Sequence, residues 1–189
     1  DETDAGLSAS GTLTVTDVDT SDTVAATTTL AVSGTSDRTD AAAPSDADLQ
    51  AMLTVTPSAI LDGTENTATL TWNFNSGNEA FNYLATGETL ILTYTVTATD
   101  DDSNPLSDSE TVTITITGTN DAPVITDGPD VASLSETNAG LTATGTLTVT
   151  DVDTTDTVAA TTALVVTGTS DRNDPAALSD TDLHAMFSV

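Results

Sequence analysis

A stretch beginning Gly6-Leu-Ser-Ala-Ser-Gly-Thr-Leu-Thr-Val-Thr-Asp-Val-Asp-Thr20 returns as Gly140-Leu-Thr-Ala-Thr-Gly-Thr-Leu-Thr-Val-Thr-Asp-Val-Asp-Thr154, a shift of 134 positions. The match runs from Glu2/Glu136 to Val55/Val189 with about three quarters of positions identical. A period of this size fits one domain. The chain is therefore expected to hold one whole unit over residues 1–119. A linker and the first half of a second unit follow over residues 120–189. Near-identical units in tandem set length, spacing and valency more often than they set chemistry.

Within the unit the dominant signal is alternation. Thr12–Thr16, Leu70–Phe74, Leu92–Ala98 and Val112–Ile116 each place apolar residues on one face and Thr or Asn on the other. Thr28 to Ser33 reads as a further strand. Threonine keeps strand propensity on the solvent face without adding apolar surface. Many short strands separated by Asp, Gly, Asn and Pro predict an all-β sandwich. Aromatics make up only 3% of residues, so the expected core is thin and aliphatic. Two short helical insertions are expected. Ser45–Met52 has a capping serine, acids in its first turn and Leu49, Met52 and Leu53 on one edge. Asn78–Leu84 is the second.

The charge is lopsided. Thirty acids face two arginines, Arg38 and Arg172, for a formal net charge of −28. Such a chain repels nucleic acid and anionic membrane surfaces, and repels itself on compaction. Bound cations or a salty medium would offset that repulsion. Cysteine is absent, which excludes disulfides and thiolate metal sites. No stretch of the sequence reads as a membrane span.

Many acids lie in turns just beyond strands: Asp17 and Asp19, Asp100–Asp102, Asp121, and Asp151 with Asp153. An extended Asp-x-Asp points both side chains the same way. Converging carboxylates repel unless a cation lies between them. Calcium fits such oxygen-only surroundings, whereas zinc or copper would want His or Cys. The competing reading is that Asp favours turns. Asp46, Asp48 and Asp62 are read as plainly solvated. Catalysis has little support. The single histidine, His184, is matched in the first copy by Gln50, and the hydroxyls have no paired base.

Tyr94-Thr-Val-Thr-Ala-Thr-Asp-Asp-Asp102 followed by Thr111-Val-Thr-Ile-Thr-Ile-Thr-Gly-Thr-Asn-Asp-Ala-Pro123 resembles the end of a VCBS-type or bacterial cadherin-like repeat. Trp72, Leu84–Leu90 and Leu134–Gly140 fit the same pattern, and the Gly-Thr-Asn-Asp-Ala-Pro junction is its most specific element. The resemblance implies tandem cadherin/immunoglobulin-like β-sandwich units in a large secreted, RTX-type adhesin on the bacterial cell surface. Their role there would be to extend an adhesive tip for cell adhesion or biofilm formation. The implied partners are neighbouring repeats of the same chain, and the implied cofactor is Ca2+ at inter-repeat junctions. Residue by residue, Asn120 and Asp121 match the cadherin linker, and Asp151 and Asp153 match the Asp-x-Asp of the following domain. Glu2 and Glu88 match two glutamates of the preceding one. Asp17, Asp19 and Asp100 would then face a preceding unit. Gly118 and Ala122 depart from the pattern, which implies fewer or weaker ions. Two other functions fit the sequence: a calcium-dependent carbohydrate-binding module, and a filament subunit completed by strand exchange with other copies of itself.

Overall fold

The computed structural model describes residues 6–153 and 156–189. It is predominantly β, built from antiparallel strands, and divides into one compact unit through Asp156 and a second over Thr157–Val189. The implied Glu2 ligand lies outside the described residues.

In the first unit, β1 (Ser8–Thr16) pairs with β5 (Thr67–Asn75), which also pairs with β3 (Leu53–Thr56). The second sheet has the order β4 (Ala59–Asp62), β2 (Thr23–Gly34), β6 (Thr89–Asp100), β7 (Ser107–Thr117). The alternation seen in the sequence has a direct structural cause. Along β6, Leu90, Leu92, Tyr94 and Val96 are buried while the intervening residues are only partly covered. Leu70 and Phe74 do the same on β5. One core contains residues from both sheets, and the Phe74 and Tyr94 rings meet across it at 6.5 Å. Each large side chain buried here contributes about 1.5–3 kcal/mol.

Helix α1 (Asp46–Ala51) forms where the capping serine and first-turn acids predict it. The Ser45 hydroxyl accepts from the Asp48 N–H, and the Asp48 carboxylate returns a bond to the Ser45 N–H. Arg38 donates to the Pro44 carbonyl at 2.6 Å and to Asp46 at 2.9 Å, which fixes the loop before the helix. The helix buries Leu49 completely, and the Tyr94 hydroxyl donates to the Leu49 carbonyl at 2.6 Å. Burial pushes the Tyr94 phenol up to about 12, so it donates at all physiological pH. Asp46 and Asp48 are thus partnered in the helix cap, and Asp62 accepts from the Thr64 N–H and hydroxyl.

The second expected helix does not form. Residues 78–84 are turns, and buried Phe81 adopts a φ of 65°, which breaks any helical run. Trp72 is half-buried against the core, with its ring lying over Gly11 on the neighbouring strand. A Cβ at Gly11 would fall 2.6 Å from that ring, so the close approach needs glycine there.

Beyond β7 the first unit continues into a two-stranded ribbon of β8 (Val124–Thr126) and β9 (Thr148–Thr150). The second unit holds α2 (Asp180–His184) and no strand. Its Ser179–Asp182 capping box and its Arg172–Asp180 ion pair repeat those of α1.

Candidate metal centre

Three loops converge where β1 ends, β2 begins and β6 ends. The Asp17–Asp22 loop crosses from the first sheet to the second. It is held by Asp17 N–H donating to the Asn66 carbonyl at 3.0 Å and Asp22 N–H donating to the Asp19 carbonyl at 3.0 Å. At its centre the Asp17 carboxylate accepts from the Asp19 N–H at 2.9 Å. This folded turn replaces the extended Asp-x-Asp expected from sequence. It points Asp17 inward and leaves Asp19 exposed.

The inward carboxylates are Asp17, Asp22 and Asp100, each partly buried, with one oxygen from each within 4.8 Å of the others. They form the one such triple among the described residues. Asp100 is fixed by accepting from the Leu106 N–H at 3.1 Å and from the Asp102 N–H at 3.2 Å. Its neighbour Asp101 turns away and accepts from the Thr23 N–H at 2.8 Å. The Thr23 N–H and hydroxyl hold the Asp101 carboxyl below the usual carboxylate range. Asp22 moves the other way. Desolvation raises its carboxyl, the Ser21 hydroxyl opposes this, and the charges of Asp19, Asp102 and Asp17 raise it further. The two shifts separate their roles: Asp101 braces the β2 terminus, whereas Asp22 is partly desolvated and faces like charges.

These donors suit a hard cation. Calcium–oxygen distances of 2.3–2.6 Å allow two oxygens on one ion to stand up to about 5 Å apart, and the triple falls within that limit. Six to eight oxygens are needed, so three monodentate carboxylates supply part of a shell. Backbone carbonyls and water are the natural remainder.

The junction acids are arranged differently. Asp121 N–H donates to Asp153 Oδ2 at 2.8 Å, and Asp153 N–H donates to Asp151 Oδ1 at 3.1 Å. Asp153 is only 1% exposed, and its Oδ1 is buried without a hydrogen bond from the described residues. Asn120 donates its side-chain amide to the Asp121 carbonyl at 2.8 Å. Glu88 flanks the start of the linker: its carboxylate accepts from the Ala85 N–H at 3.2 Å, and its carbonyl accepts from the Gly118 N–H at 2.9 Å. Among the described residues these acids do not gather into a second close triple.

The structure therefore brings together Asp17 and Asp100 from the sequence-derived set, adds Asp22, and leaves Asp19 outside. Asp22 carried a readable signal, because Asp17-x-Asp19-x-x-Asp22 recurs as Asp151-x-Asp153-x-x-Asp156. His184 lies on the exposed side of α2, with Nε2 3.0 Å from the Thr162 hydroxyl. Its counterpart Gln50 donates to Thr28, the counterpart of Thr162, at 3.0 Å. The two side chains thus contact the equivalent threonine in each copy. No family model, curated protein or solved structure matches this chain.

Proposed function

We propose that this chain is a structural extender segment of a secreted bacterial cell-surface adhesin. In this reading its two facing sheets form a cadherin-like β-sandwich repeat, stiffened by calcium and serving adhesion or biofilm formation rather than catalysis. The observation that carries the reading is the Asp17–Asp22–Asp100 triple, built at the end of the unit where sheet-crossing loops meet. The 134-residue repetition supports an array, and the net charge of −28 supports a need for cations. Bound calcium would supply positive charge where the three carboxylates converge. The residues do the rest: Asp17 and Asp22 anchor the crossing loop, Asp100 anchors the end of β6, and one ion between them ties the two sheets together at that end. The Asp121–Asp153 bond supports the reading: in the second copy the same loop type holds the segment that follows β7.

Calcium titration by calorimetry is expected to give dissociation constants of about 10⁻⁴–10⁻³ M. It is expected to raise the melting temperature, and Asp22→Asn or Asp100→Asn is expected to weaken binding at least tenfold while Asp62→Asn leaves it unchanged. Identical melting and identical maximum dimension by small-angle scattering, in calcium and in chelator, would overturn the extender reading. A glycan array separates it from a calcium-dependent carbohydrate module. Trp72, the one tryptophan, packs on the core beside Gly11 rather than standing free as a sugar platform.

A further inference from the structure

The sequence holds two Asp-Gly bonds, Asp62-Gly63 and Asp127-Gly128, and no Asn-Gly. The structure sets the two apart. Asp62 ends β4, and its Oδ1 accepts from the Thr64 N–H at 3.1 Å and from the Thr64 hydroxyl at 2.5 Å. A carboxylate bonded to the N–H two residues on closes an Asx turn around the peptide between them. That turn curls the Asp62 carboxyl carbon over the Gly63 nitrogen. Several other aspartates fold back in this way, but among the described residues Asp62 is the one followed by glycine. Gly63 has a φ of 83° and no side chain to shield its nitrogen. Asp127 is held otherwise. Its Oδ2 accepts from the Thr148 hydroxyl at 2.6 Å, which draws the carboxyl across the ribbon to β9.

We infer that Asp62-Gly63 is a site of spontaneous backbone rearrangement, at which aspartate converts to isoaspartate, and that the change loosens the loop leading into β2. The Gly63 nitrogen attacks Cγ of the protonated Asp62 carboxyl, and an N–Cγ bond forms. The nitrogen gives up its proton, the carboxyl gives up its hydroxyl, and one water leaves. The product is a succinimide ring. Water then adds back at one of its two carbonyls. Addition at Cγ restores aspartate. Addition at the α-carbonyl carbon breaks the bond from that carbon to the Gly63 nitrogen, so the main chain now runs through Cβ and Cγ. No oxidant, metal or second reactant enters, and mass and formal charge end unchanged. Holding nucleophile and carboxyl carbon in contact is what raises the rate of such an intramolecular step.

Isoaspartate lengthens the main chain by one carbon, and the point of insertion is tight. A Cβ built on Gly63 would lie 3.1 Å from the Ser21 carbonyl oxygen, so this turn rests against the Asp17–Asp22 loop. Asp62 also pairs with Thr23, the first residue of β2. The added carbon displaces that pair and pushes on the loop that carries Asp22. The rearrangement needs no cation, so it stands whether or not calcium binds.

The test is to incubate the full chain in chelator at neutral pH over weeks and to sample it at intervals. Isoaspartate is counted by methyl transfer from labelled S-adenosylmethionine through an isoaspartyl methyltransferase. It is located by a protease that cuts before aspartate and leaves isoaspartate uncut. Label at Asp62 is expected to exceed label at Asp127 by about tenfold. Asp62→Glu would have to close a larger ring, and is expected to remove label at that turn while leaving label at Asp127. Asp62→Asn presents a neutral amide and releases ammonia in place of water. It is expected to convert faster than wild type, to a mixture of aspartate and isoaspartate. No label at Asp62, equal or greater label at Asp127, or an Asp62→Asn chain that keeps its amide overturns the inference. Aged wild type is expected to melt lower than fresh protein, whereas aged Asp62→Glu keeps its melting temperature. Equal losses in the two aged chains would overturn the loosening. With every sample in chelator, these outcomes stay separate from that of the extender reading.

Discussion

Nearly the same sequence appears twice in this molecule and is only once a strand. Thr23–Gly34 forms β2, laddered to β6 from Val24↔Asp100 to Gly34↔Leu90. Its counterpart, residues 157–168, forms none. The helices behave oppositely. α1 and α2 share the capping box, the arginine–aspartate pair and the tie from helix to threonine. The difference lies in the reach of the contacts. Cap and ion-pair partners stand within eight residues of one another and travel with the segment. β2 depends on β4 and β6, and residues 157–168 pair with no strand among the described residues. Helical caps are thus properties of the segment, whereas the strand is a property of its neighbours.

Hydrogen exchange should show the contrast at its largest. Amides of Thr27–Val32 are expected to exchange orders of magnitude more slowly than those of residues 161–166, because the former open only with the sheet. Equal protection would break the comparison outright. Core truncation comes next. Leu49→Ala is expected to cost about 2–5 kcal/mol in urea unfolding of the first unit, since Leu49 is fully buried. Leu183→Ala, at the same repeat position but only partly buried, is expected to cost less than about 1 kcal/mol. Equal losses would mean that the second copy has built an equivalent core.

The smallest expected effect is in the caps. The Ser179 hydroxyl, with its N–H, holds the Asp182 carboxyl below the usual carboxylate range. A lowered carboxyl stabilises the folded form above the unfolded value of about 3.9 and loses that contribution as pH falls through the folded value. Amide shifts of residues 180–184, followed by NMR on acidification, are expected to hold at neutral pH and collapse only below about 3.9. Ser179→Ala should move the collapse to higher pH. An unchanged profile would show that the cap does not hold α2.

The all-β character was legible because Thr alternates with Leu, Val and Ile over stretches long enough to exclude a helical period. α1 was legible from Ser45, its acids and the Leu49 edge. What stayed hidden was set by contacts distant in sequence or by single backbone angles. Phe81 in the left-handed region cancels the expected second helix. The ribbon partners β8 and β9 are three residues each, too short for a period to emerge. At the acidic site, Asp17 and Asp100 stood out because they end strands. The Asp17 turn then redirected Asp19 outward and Asp22 inward, and an alternation argument cannot see that turn.

The two arginines carry a consequence for proteolysis. Arg38 and Arg172 stand one repeat apart, each paired with the first residue of the helix that follows it, and the sequence has no lysine. A protease that cuts after basic residues finds two bonds in this chain, both beside turns pinned by hydrogen bonds. The fragment released between them is 134 residues long, one whole period. Such a digest reports on these two turns alone, and the mass of its middle fragment measures the repeat directly.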